Sequence, residues 1–114
     1  MTSDTSSQNT QTSVQVAAFY KFLPLDNIEI LQQEIRNICK SSDVLGTVLL
    51  AHEGINGTIA GPKEDLEKLF TYLRQYPGIG SLDKKISYCN RNPFYRMKVR
   101  LKKEIVTLGV DGID

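Results

Sequence analysis

Residues 96–102 read R-M-K-V-R-L-K, a strict alternation of basic and apolar side chains. In a β-strand, successive side chains point to opposite faces. Met97, Val99 and Leu101 then pack on a core, while Arg96, Lys98, Arg100 and Lys102 line the other face. Such a row of cations on one sheet surface matches a polyanion, and nucleic acid is the first candidate. Arg91 and Lys84 lie nearby in sequence and extend the candidate patch. A plainer reading competes, because edge strands carry lysines that block edge-to-edge pairing. Lys102 and Lys103 fit that reading, but the full alternation exceeds what protection requires. Phe94 and Tyr95 precede the row, and their rings suit base stacking or simple packing equally well.

His52 stands beside Glu53, a pairing that suits acid–base chemistry. A lone His with no second His, no Cys and no carboxylate cluster is more often a structural contact, so no catalytic residue is assigned. Asn56-Gly57 follows, and both residues tolerate the positive φ of a tight turn. The backbone N–H groups of a turn at Asn56 and Gly57 are able to hold an anion. Cys39 and Cys89 have neither metal-ligand nor C-x-x-C spacing. They read as reduced thiols of a cytoplasmic protein, with no metal and no cofactor expected. P-loop, G-x-G-x-x-G, H-E-x-x-H and G-x-S-x-G motifs are absent, as is the aromatic RNP1 string of RNA-recognition motifs.

The charge distribution agrees with the basic row. Residues 84–104 hold eight basic side chains and one acidic one, a segment charge of +7. The rest of the chain sums to −6, so the total of +1 conceals a strong polarity. At 114 residues the chain is long enough for one domain with its own core. No apolar run approaches a membrane span. The Ser/Thr/Gln-rich residues 1–13 lack the charge and apolar pattern of a secretory signal and read as a disordered tail.

These residues need elements to position them. Residues 14–23 (V-Q-V-A-A-F-Y-K-F-L) read as a central strand that Pro24 ends. Asp26 is the expected N-cap of a helix, with Glu29 completing a capping box and Ile28, Leu31, Ile35 and Ile38 forming its apolar stripe. A second strand spans residues 44–52, and a third spans 58–60 beyond the expected Asn-Gly turn. Gly61 and Pro62 open a second helix with Leu66, Leu69, Phe70 and Leu73 on its buried side, and Pro77-Gly78 stops it. Residues 86–89 form a short strand, interrupted at 90–93, before the basic stretch from Tyr95 to about Leu108. The order is βαββαβ, which predicts an α+β, ferredoxin-like domain over residues 14–108. A four-stranded antiparallel sheet then carries both helices on one face, with the basic strand at an edge beside the first strand.

Two stretches carry a family resemblance. One is residues 49–61, L-L-A-H-E-G-I-N-G-T-I-A-G; the other is residues 93–109, P-F-Y-R-M-K-V-R-L-K-K-E-I-V-T-L-G. With A-F-Y-K-F at 18–22, they resemble the N-terminal domain of the rhodanese-domain tRNA uridine hydroxylases. The resemblance implies an acylphosphatase-like fold, tRNA as partner, and hydroxylation of a wobble uridine at carbon 5 in a reaction linked to oxygen and prephenate. It further implies a rhodanese domain that follows in the full protein and carries a catalytic cysteine in a C-x-x-G-x-R type loop. Neither Cys39 nor Cys89 sits in such a loop, so no catalytic residue transfers to this chain. Residues 109–114 then read as the start of the linker. Three roles are expected from this: a domain that helps position tRNA through its basic strand, an interaction module that docks on the rhodanese domain or a dimer partner, or a small acylphosphatase-like hydrolase. The last lacks the Gly-rich, Arg-bearing phosphate loop after its first strand, where the sequence reads F-L-P-L-D.

Overall fold

A computed structural model describes residues 14–103. The tail expected at 1–13 and the linker expected at 109–114 lie outside the described residues. Strand β1 (Val14–Phe22) is followed by helix α1 (Ile28–Lys40), strands β2 (Leu45–Ala51) and β3 (Gly54–Pro62), helix α2 (Lys63–Gln75), and strands β4 (Asp83–Cys89) and β5 (Met97–Leu101). The fold is α+β.

The helices form where the apolar spacing is helical. Ile28, Leu31, Ile35 and Cys39 are buried on α1, and Leu66, Leu69, Phe70 and Leu73 on α2. Each buried Leu or Ile contributes about 1.5–3 kcal/mol relative to an exposed one. Both stripes join one core with Ala17 and Phe19 of β1, Val48 and Leu50 of β2, Ile55 and Ile59 of β3, and Val99 of β5. Both helices therefore lie on one face of the sheet. Phe19 meets Phe70 edge to face, with centroids 5.4 Å apart. Gly57 makes room for that ring, because a Cβ there would sit 2.9 Å from Phe19 Cζ and 2.7 Å from the Thr47 carbonyl oxygen.

The sheet differs from the expected one. It has five strands in the order β4-β1-β3-β2-β5. The place beside β1 is taken by β4, paired antiparallel from Val14↔Cys89 to Tyr20↔Asp83. The basic strand lies at the opposite edge, parallel to β2, from Gly46↔Met97 to Leu50↔Leu101. The break at residues 90–96 thus separates two strands of the sheet instead of interrupting one. Asn92 organises that passage: its Nδ2 donates to the Ala60 carbonyl at 2.9 Å, and its Oδ1 accepts from Phe94 N at 2.9 Å. This Asx turn redirects the chain past the end of the sheet. Hydrogen bonds from Gly46 N to Arg96 O at 2.8 Å and from Lys102 N to Leu50 O at 2.7 Å then bracket the parallel pairing.

Three local expectations also shift. The β2–β3 turn falls at His52 and Glu53, and Asn56 and Gly57 sit within β3 opposite Leu49 and Val48. Gly54, at φ +156° and packed on the Lys21 carbonyl, lets β3 start that early. Helix α1 starts at Ile28 with Asn27 in the cap position and no side-chain cap bond, so Asp26 is not its cap. Strand β3 likewise extends through Gly61 and Pro62, and α2 begins at Lys63.

Candidate nucleic-acid interface

Strand β5 presents Met97 to Arg100 as its alternation dictates, but Leu101, expected on the core, is exposed at the strand's end. Val99 is buried against the helices, with Met97 half-buried beside the same core. Lys98 and Arg100 are exposed and paired with Thr47 and Leu49, on the sheet face away from the helices. Arg96 and Lys102 are exposed just outside the two ends of β5. The row of four is thus two in-strand cations with one at each flank. The strand is held from the helix side: Gln32 Nε2 donates to Val99 O at 2.6 Å, and Arg36 donates to the same oxygen at 3.3 Å.

The two lysines of β4 divide between the faces. Lys84 pairs with Phe19 in register, and its Nζ lies 4.4 Å from the Phe70 ring centroid on the helix side. Lys85 pairs with Ala18 on the other side. The free-face patch therefore has Lys85, not Lys84, on β4. One cross-strand row on that face reads Lys85, Ala18, Thr58, Thr47 and Lys98. Its two ends stand roughly 19 Å apart at ordinary strand spacing. The next row reads Asp83, Tyr20, Asn56, Leu49 and Arg100. Asp83 is the one carboxylate in these two rows. Arg91 is exposed in the β4–β5 connection.

Other features of this face are legible only in three dimensions. Tyr20 and Phe22 are 48% and 59% exposed there, with ring centroids 5.8 Å apart. In the sequence they look like ordinary members of an apolar strand. Asn56 is buried in the same row, and its Nδ2 has no hydrogen-bond partner among the described residues. Beside β2 and β5, a cleft of about 260 Å³ is lined by Thr47, Pro93, Phe94, Tyr95, Arg96 and Lys98. That is smaller than the roughly 300–1,000 Å³ of a small-molecule site.

The remaining candidates have structural roles. His52 Nδ1 donates to Leu25 O at 2.9 Å, and Leu25 N donates back to His52 O at 2.8 Å. The β2–β3 turn is thereby stitched to the segment before α1. Cys39 is buried in the α1 stripe, and burial pushes its thiol up to about 11. Among the described residues no group of His, Cys, Asp and Glu is placed to hold a metal, and no helix is long and apolar enough to cross a membrane. Residues 23–27 (L-P-L-D-N), at the place of an acylphosphatase phosphate loop, contain no arginine and no glycine.

Residues 14–105 match the family model described as the UPF0176 acylphosphatase like domain. Curated relatives include the tRNA uridine(34) hydroxylase of Teredinibacter turnerae, 52% identical over 99 residues, and that of Brucella anthropi, 50% identical over 99 residues. Each alignment covers 87% of this chain but only 31% and 32% of the respective relative. The chain thus spans about a third of the length of the curated relatives it matches. Among solved structures, a bacterial light-regulated adenylyl cyclase aligns with a TM-score of 0.66 at 15% identity, over 88% of this chain and 31% of that one. The BLUF protein BlrB aligns at 0.62 and 15% identity, over 80% and 74%. Full-length HypF aligns at 0.55 and 13% identity, over 83% and 13%. These three likenesses speak to fold alone.

Proposed function

Because the chain belongs to the UPF0176 acylphosphatase-like domain family, we propose that it is the N-terminal, RNA-contacting domain of a tRNA uridine hydroxylase and helps position tRNA. The observation that carries this reading is the placement of Lys98 and Arg100 on the free face of β5, flanked by Arg96 and Lys102. That the relatives are tRNA uridine(34) hydroxylases supports tRNA as the polyanion. Contacts from these side chains to phosphates fix position without reading sequence, and they are sensitive to salt. Lys85 and Arg91 extend the surface. Lys84, occupied over Phe70, is left out of it. A cytoplasmic location and a following rhodanese domain belong to the same reading. So does the assignment of the hydroxylation chemistry to residues beyond this chain.

The test is charge reversal. The Lys98→Glu/Arg100→Glu double variant should bind tRNA at least roughly tenfold more weakly at moderate salt. The slope of log affinity against log salt should shrink by about two. Unchanged tRNA affinity in that variant would sink the reading.

A second reading is that this face docks on the remainder of the longer protein. The buried Asn56 Nδ2, which has no acceptor among the described residues, favours it, since a docked acceptor would complete its hydrogen bonding. A tRNA gel shift with this chain and with a full-length relative separates the two. Binding by the full-length protein alone supports docking.

A further inference from the structure

We infer that the cleft beside β2 and β5 takes an unpaired nucleobase, which stacks on Tyr95 while Arg96 and Lys98 hold the phosphates on either side of it. The inference rests on the reading that this chain meets RNA, and it adds how a single-stranded segment would be told from a duplex.

Five observations combine. Tyr95 is 95% exposed, so its ring is held in water with almost no packing of its own. A large aromatic in that state lacks the usual reason for being aromatic, and stacking with a ligand supplies one. The ring lines a cleft of about 260 Å³, which fits a single planar group better than a drug-sized ligand. Among the described residues, the same cleft is lined by two cations, Arg96 and Lys98, and by no carboxylate. Thr47 also lines the cleft, and its hydroxyl is able both to donate to and accept from a base edge. The cleft wall is also well anchored. Arg96 O accepts from Gly46 N, and the Asn92 turn immediately precedes Pro93 and Phe94. An aromatic beside cations on an anchored backbone is the arrangement by which single strands are bound.

Duplex RNA cannot use such a cleft without unstacking a base, whereas phosphate contacts alone accept either form. The experiment therefore compares three labelled probes of equal length by fluorescence anisotropy with the 114-residue chain. They are an unstructured oligouridylate, the same strand lacking its bases, and a duplex. The oligouridylate should bind roughly tenfold more tightly than the base-free strand. Tyr95→Ala should abolish that difference and leave the salt slope unchanged, while Tyr95→Phe should retain it. The chain has no Trp, so the difference in tyrosine fluorescence quenching between the parent and Tyr95→Phe reports stacking directly. Tyr95 is too exposed for its replacement to threaten the fold.

Equal binding of the oligouridylate and the base-free strand overturns the inference. So does an unchanged preference in Tyr95→Ala, or loss of that preference in Tyr20→Ala instead, which would move stacking to the far corner of the face. Each of these leaves phosphate-mediated positioning standing. Failure of that broader reading has a different signature, in which Lys98→Glu/Arg100→Glu weakens none of the probes.

Discussion

Cys39 and Cys89 share one chemistry and differ in surroundings. Both thiols are free. Cys39 is buried in the α1 stripe, where the thiolate loses its hydration, and its thiol is pushed up to about 11. Cys89 is half-buried at the end of β4. Because the thiolate is the reactive form, a disulfide reagent at pH 8 should titrate one thiol quickly in the folded chain and two after denaturation. Cys89→Ser should remove the fast one; fast labelling that survives Cys89→Ser would show that Cys39 is open. The same contrast between type and place separates Lys84 from Lys85. Adjacent residues of equal charge end on opposite faces, one over the Phe70 ring and one beside Ala18. His52 was readable as a structural contact from its isolation, though its partner, the Leu25 carbonyl, was not.

At the scale of elements, β5 shows what alternation is able to determine. Its period of two sorted Val99 inward and Lys98 and Arg100 outward, as the sequence indicates. Val99→Ala should therefore lower stability by about 1–3 kcal/mol in urea unfolding, from lost burial plus a residual cavity. Lys98→Ala should change it by less than about 0.5 kcal/mol. Comparable costs for the two would refute the face assignment. The odd-numbered residues of β5 turn their backbone groups away from β2, and Gln32 and Arg36 meet the Val99 carbonyl there. This edge is thus partly closed by α1 as well as guarded by charge. The turn was harder to read. Asn56-Gly57 has the composition of a tight hairpin, yet both residues serve inside β3, and the chain reverses at His52-Glu53. The space that Phe19 needs, not backbone freedom, accounts for Gly57.

The whole molecule carries a net charge of only +1, with its cations gathered in residues 84–104. If the local patch governs binding, the salt dependence of tRNA affinity should reflect it and not the net charge. A slope of about −2 to −4 is expected. A slope near zero in a salt titration would show that the patch does not act as a unit. Helix positions, their buried stripes, the inward and outward sides of β5, and the family were all legible in the residues, because periodicity and motifs are local properties of the chain. That β4 stands beside β1 and the basic strand beside β2 was not legible. Two strands, β4 and β5, competed for the place next to β1. The outcome depended on the Asn92 turn and on hydrogen bonds from Gly46 to Arg96 and from Lys102 to Leu50, which join residues about fifty positions apart. The cleft and the exposed Tyr20–Phe22 pair follow from that choice. The sequence by itself determined the two helices with their buried stripes and the two faces of the basic strand. Only the tertiary structure decided which cations and rings share a surface, since sheet order is set by long-range pairing that no local pattern encodes.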